Sequence, residues 1–259
     1  MKEKIREAHK VIAEAFEKHY KSILCWTGGK DSTLLLWIMI RFCEGEGLSL
    51  PEIVFIDDGD VFPEIWDFIN STSKKWNLKV TILKNQDILQ HVQEIGDRID
   101  VNKLSKENQN ELRKIGYSEE VFTYEPESYA GNHLLKTVPL NQHIVQNGIE
   151  AVFTAIRRDE HPARREEVFF SNREEPPHIR IHPILNFTER DVWNTIFEYK
   201  IPFCSLYEKG YRSIGARYNT RPTDSKPAWL QDFDLIPERA GRGQNKEQIM
   251  DKLRALGYM

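Results

Sequence analysis

The sequence predicts an α/β protein: a doubly wound, mostly parallel sheet with helices on both faces and an irregular C-terminal tail. Short apolar runs such as KSILCW, EIVFIDDGD and LKVTILK alternate with longer helix-like stretches, the pattern of consecutive strand–helix–strand units. A glycine pair occupies the first strand-to-helix junction, where sheets of this kind hold ligands. The 259 residues suffice for one such domain, placed at 1–199, and a covering segment at 200–259.

In chain order, Ile5, Ala8, Ile12, Ala15 and Phe16 recur at helical spacing and predict an amphipathic first helix. KSILCW is the first strand, and TLLLWIMIRF has the length and continuity of a buried helix. The linker EGEGLSLP leads to the second strand, EIVFIDDGD, which ends in acidic residues. VFPEIWDFINSTSKKW presents Ile65, Phe68, Ile69 and Trp76 on one helical face, and LKVTILK is the third strand. Residues 95–130 are charged and weakly periodic, so they read as an insertion with a helix near 103–115.

Alternation resumes with NHLLKTVPLNQHIVQNG, a helix ending at Gly148, and the strand EAVFTAI. A charged loop, RRDEHPARREE, precedes the strand HIRIHPIL and the helix TERDVWNTIFEY, for which Thr188 is the expected N-cap with Asp191 three residues on. Residues 200–242 are rich in Pro, Gly, Arg and Tyr without periodicity, and NKEQIMDKLRALGYM reads as a closing helix. A loop of that length in a compact domain is more often functional than decorative.

Composition narrows the classes. At 40% hydrophobic, 29% charged and a formal net charge of -4, the chain has no basic excess for a nucleic-acid partner. Its longest apolar run, Leu34 to Ile40, is too short to span a bilayer, and the first residues lack the apolar core of a signal peptide, so a cytoplasmic protein is expected. Cys25, Cys43 and Cys204 are scattered, without the spacing of a zinc or iron–sulfur site, and read as reduced thiols.

The stretch TGGKDS carries the chemistry. Gly28 and Gly29 let the backbone approach an anion, successive N–H groups at a helix start supply positive potential, and Lys30 adds a charge. Thr27 and Ser32 bring hydroxyl donors, with Asp31 between lysine and serine. The Walker pattern fails because position 24 is leucine and Asp31 separates Lys30 from Ser32, and the dinucleotide fingerprint G-x-G-x-x-G fails as well. At the end of the second strand, Asp57 and Asp58 are candidates for a ribose hydroxyl or, at Asp58, for Mg²⁺. Arg157 and Arg158, directly after EAVFTAI, have the planar forks that bind phosphate or sulfate and stabilise shifting charge, whereas Arg164 and Arg165 read equally well as solvated surface.

TGGKDS resembles the SGGKDS pyrophosphate loop of the ATP pyrophosphatases, with Thr27 in place of serine. VFIDDGDVFPEIW resembles the second strand and turn of the branch that contains phosphoadenylylsulfate (PAPS) reductases and the small subunit of bacterial sulfate adenylyltransferase. RRDEHPARREE and HPILNFTERDVW are similar to that subunit's arginine segment and the segment after it, with Phe187 where the family has tryptophan. IPFCSLYEKGYRSIGARYNT resembles a segment shared with eukaryotic FAD synthases, and PERAGRGQ with the final residues resembles the subunit's tail.

That resemblance implies an adenine nucleotide alpha hydrolase-like fold whose 1–199 domain binds ATP with Mg²⁺. It implies adenylyl transfer, with Lys30, Arg157 and Arg158 as catalytic residues and Arg212, Arg239 and Arg242 completing an anion pocket. The family's reductases need a cysteine near the C-terminus, and this sequence has none after Cys204, so neither thiol reduction nor an iron–sulfur cluster is expected. Sulfate is the first acceptor the resemblance suggests and FMN the second. A PAPS or adenylyl sulfate reductase-like protein lacking the usual C-terminal cysteine is the third reading, and a catalytically idle nucleotide-binding subunit the fourth. The resemblance leaves room for a GTPase partner subunit and for a homo-oligomer.

Overall fold

The computed structural model describes residues 1–243. The chain opens with α1 (Lys2–Lys18), β1 (Ser22–Cys25), α2 (Lys30–Glu46), β2 (Glu52–Ile56), α3 (Pro63–Trp76), β3 (Val80–Leu83) and the single turn α4 (Gln86–Leu89). A hairpin of β4 (Arg98–Asp100) and β5 (Val121–Thr123) encloses α5 (Lys106–Lys114). Next come α6 (Tyr129–Asn132), α7 (Val138–Asn147), β6 (Ala151–Phe153), β7 (Phe170–Glu174), β8 (Pro177–Ile181) and α8 (Glu189–Glu198).

The main sheet has six strands in the order β3-β2-β1-β6-β8-β7, parallel except for β7, which runs antiparallel to β8. Alternate residues of each strand face opposite layers. Leu24, Phe55, Phe153 and Ile181 pack with α1, α2, α3 and α8 through Ile12, Leu35, Ile65 and Ile196. Ile23, Val54 and Val152 instead meet Leu140 and Ile144 of α7 on the other face. Helices therefore cover both faces, and each fully buried Leu or Ile side chain contributes about 1.5–3 kcal/mol.

The expected elements are present with local revisions. Pro139 has no N–H to donate, and the helix expected through residues 132–148 passes through a widened π turn at His133–Thr137 before continuing as α7. Thr188 caps α8 in a reciprocal box with Asp191, and Gly148 ends α7 in the left-handed conformation. Strand β7, just after the charged loop RRDEHPARREE, has no counterpart among the expected strands; it alternates no apolar face, because it pairs only along the sheet edge. Residues 95–130 leave the main sheet, but Ile99, Leu104, Leu112, Phe122 and Tyr124 build a second apolar cluster with Leu134 and Leu135. Tyr124 Oη donates to the Asp58 carbonyl at 3.0 Å, tying that cluster to the end of β2.

Residues 200–243 contain only short 3-10 turns, yet Cys204, Leu206, Tyr207 and Ala228 are buried in the main core. The closing helix expected over 245–259 lies outside the described residues. Among the described residues no helix is long and apolar enough to cross a membrane.

Candidate functional site

The chain leaves β1 toward β2 on one side and returns to β6 on the other, so the β1–α2 junction is the point at which the winding of the sheet reverses. Trp26 is fully buried there, and its Nε1 donates to Thr33 Oγ1 at 3.0 Å, fixing how α2 departs from the sheet. Gly28 has φ +75, and a Cβ on it would lie 3.0 Å from Ile65 Cγ2, so only glycine follows this path without strain. Gly29 caps α2. Thr27 Oγ1 and Ser32 Oγ are 3.0 Å apart, and Ser32 Oγ also accepts from Thr27 N at 3.2 Å and reaches the Gly29 carbonyl at 3.0 Å. The hydroxyls expected to donate to a ligand thus brace the loop. The first-turn N–H groups of the 17-residue α2 have no intrahelical acceptors and give the loop its positive potential.

Lys30 is not the mobile charge that its position in the sequence suggests. Only 1% exposed, its Nζ lies 2.5 Å from Glu238 Oε1, 2.9 Å from the Arg212 carbonyl and 3.3 Å from Asp31 Oδ2. Burial by itself would lower its pKa, but Asp31 and Glu238 more than reverse this and hold the ammonium well above the usual lysine value. Arg157 is wholly enclosed by Asp31, Glu238 and Asp159, the last at 2.9 Å, and is held above its ordinary value by the same balance. Glu160 is clamped between Arg164 and Arg239, which is 2.8 Å away, and despite burial these cations hold its carboxyl far below the usual range.

A cavity of about 310 Å³ opens beside the loop. Of the residues expected at the site, Thr27, Gly29, Lys30, Asp31, Ser32, Asp58 and Arg242 line it. Gly28, Asp57, Arg157, Arg158, Arg212 and Arg239 do not; they form the frame behind it. Arg158 turns to Asn186 and to the Glu167 carbonyl, and Arg212 grips Glu189 at 2.5 Å and the Ile236 carbonyl at 2.6 Å. Lys136, Glu127, Glu160, Arg164, Arg180 and Tyr207 line the cavity without having been singled out as site residues. The arginine loop gave a signal for Arg164. Lys136 and Glu127 gave none, because chain separation alone hides their approach to β2.

Asp57 Oδ1 accepts the Gly59 N–H at 3.0 Å, and burial raises its pKa. Asp58, the expected Mg²⁺ ligand, faces Lys136 Nζ at 2.9 Å and accepts the Asp60 N–H at 3.1 Å. Among the described residues no group of three or more His, Cys, Asp or Glu is arranged to hold a metal. Asp58 alone would supply one carboxylate to a Mg²⁺ ion, which is usually held by one or two carboxylates together with substrate phosphates.

Burial pushes the thiols of Cys25, Cys43 and Cys204 up to about 11, so none is poised as a thiolate. On β8 and just after it, burial lowers His178 to about 4 and, with Arg180 adding, His182 to about 3.

A profile of the phosphoadenosine phosphosulfate reductase domain matches residues 21–222, from β1 through the loop and the arginine segment into the first part of the tail. The chain belongs to this family. Within the family it is 28% identical to the adenosine 5'-phosphosulfate reductase of Geobacillus kaustophilus, over 66% of this chain and 63% of that protein. It thus spans less than two thirds of that relative's length. It is 25% identical to the probable FAD synthase of Schizosaccharomyces pombe, over 89% of this chain and 76% of that one. Among solved structures, the phosphoadenylyl-sulfate reductase of Candida auris, a phosphate complex, superposes with a TM-score of 0.60 at 20% identity, covering 83% of this chain and 90% of that one. The FMN adenylyltransferase of Candida glabrata, solved with FMN and the ATP analogue AMPCPP, gives a TM-score of 0.61 at 17% identity, covering 98% and 88%. At these identities the two structures support the fold of the family member described here.

Proposed function

We propose that this chain is an ATP-dependent adenylyltransferase. The triphosphate lies along Thr27–Ser32, an acceptor oxygen attacks the α-phosphorus in line, the bond to the β-phosphate breaks, and pyrophosphate leaves against the loop. The observation that carries the reading is one cavity lined both by the loop with Lys30 and by Arg164, Arg180, Arg242 and Lys136. Fixed cations of this kind favour charge that shifts onto oxygen, and catalysis then rests on positioning and electrostatics without a covalent nucleophile. Reduction of adenosine 5'-phosphosulfate, the activity in the name of the Geobacillus relative, is disfavoured if it needs a thiolate, because burial pushes all three thiols up to about 11.

The acceptor we favour is a small oxyanion of the sulfate class, since Arg164, Arg180 and Arg242 bring three planar guanidinium groups to the wall of the cavity that the loop also lines. FMN is the second reading, supported by the FAD synthase relative that aligns with 89% of this chain. Purified protein is incubated with ATP, Mg²⁺ and sulfate, molybdate or FMN, and pyrophosphate release and adenylylated products are measured. Release with the oxyanions supports the first reading; release with FMN alone replaces it with the second. Sulfite formed from adenylyl sulfate and a thiol reductant, without pyrophosphate release, overturns both.

A further inference from the structure

The seat beside Lys30 is taken by the protein's own carboxylate. Glu238 Oε1 sits 2.5 Å from Lys30 Nζ, and its other oxygen accepts from Arg157 Nη2. One carboxylate therefore spans two buried cations, as a pair of phosphate oxygens would. Glu238 arrives from outside every helix and strand, in the segment 237–242. Besides the Ala240 N–H to Pro237 carbonyl, Arg242 N–H to Arg239 carbonyl and Arg221 N–H to Gly241 carbonyl bonds, charged contacts hold that segment. Arg239 meets Glu160 at 2.8 Å and Arg242 meets Glu127 at 3.3 Å. The same cavity wall thus changes composition if this segment moves.

A nucleotide's terminal phosphates and Glu238 cannot share Lys30. Both are anionic, and a buried carboxylate without its cation is strongly destabilising. Lys30 and Arg157 equally require an anion, because each is at most 1% exposed. Exchange of one anion for the other satisfies both requirements.

We propose that Glu238 is an internal occupant of the phosphate seat: it neutralises Lys30 and Arg157 without nucleotide, and binding of the polyphosphate expels it together with segment 237–242. This rests on the reading of the loop as the ATP site and adds a competition that the reading does not require. If Glu238 merely positions Lys30, removing its charge weakens nucleotide binding; if it competes, removing its charge strengthens binding.

The full chain and its Glu238→Gln variant are titrated calorimetrically with inorganic pyrophosphate and with AMPCPP. The variant is expected to bind both about tenfold more tightly. Unchanged or weaker binding by a folded variant overturns the proposal while leaving the ATP site intact; no binding of either ligand to the wild-type chain overturns both. A second measurement needs no variant. Arg239 and Arg242 are each 8% exposed, so trypsin should cut after them slowly, and AMPCPP is expected to speed those cuts several-fold when followed by mass spectrometry. Unchanged or slower cutting under saturating AMPCPP overturns the proposal even if the variant fails to fold.

Discussion

The Tyr207 phenol oxygen accepts the backbone N–H of Lys30 at 2.7 Å, across 177 residues of sequence. One amide of the glycine loop is thus claimed by the segment that follows α8, which stitches the two parts of the site together. Both partners are buried, and burial raises the phenol well above the usual tyrosine range, so it remains protonated. Tyr207→Phe keeps the ring and orphans the amide. A loss of about 1–3 kcal/mol in urea unfolding is expected, and an unchanged midpoint would show that the bond carries no weight.

Lys30→Ala removes the charge that the loop offers to an entering phosphate. Charge-assisted hydrogen bonds contribute about 1.5–3 kcal/mol, so affinity for AMPCPP should fall by about 10- to 100-fold in calorimetry. Wild-type affinity in this variant would remove the loop from the nucleotide site.

Arg157 and Arg164 separate frame from cavity. Arg157→Gln leaves Asp31 and Glu238 facing each other with less cation between them, at an expected cost of about 3–5 kcal/mol in stability. Arg164→Gln leaves Glu160 with Arg239 and should lower stability less, while slowing pyrophosphate release at saturating ATP. Reversal of that order, read from urea midpoints beside turnover rates, would exchange their assigned roles.

His182 predicts sensitivity to acid. Its Nδ1 meets Thr154 Oγ1 at 2.7 Å and its Nε2 lies 3.7 Å from Glu167, while burial and then Arg180 hold it at about 3, against 6.5 for an unperturbed histidine. The folded value is the lower one, so the unfolded chain takes up the proton first as pH falls. The stability due to this group is complete above pH 6.5 and drains away toward pH 3, by up to about 1.4 kcal/mol per pH unit. His182→Gln should flatten the dependence of melting temperature on pH between 4 and 6.5, and equal slopes in the two proteins would refute the linkage.

What was legible in the sequence was local. Alternating apolar runs marked β1, β2, β3 and the helices between them, and the glycine pair marked the turn at β1, because neighbours along the chain dictate periodicity and φ. Thr188 and Asp191 announced the start of α8 for the same reason. The partners of the charges were not legible. Nothing near Lys30 points to Glu238, 208 residues away, and nothing near Asp58 points to Lys136. Strand β7 escaped because an edge strand need not alternate, and the cluster around Phe122 escaped because its apolar residues are spread across a hairpin and a helix.

The self-neutralised cations around Lys30 and Arg157 bear on kinetics. With a net charge of -4 and with Lys30 and Arg157 already paired to Glu238, the molecule projects little attraction into solvent for an incoming polyanion. Encounter should proceed without electrostatic steering, near the unassisted range of about 10⁵–10⁶ M⁻¹s⁻¹ and with a shallow dependence on ionic strength. Discrimination then falls to dissociation, where the loop decides how long a captured nucleotide stays.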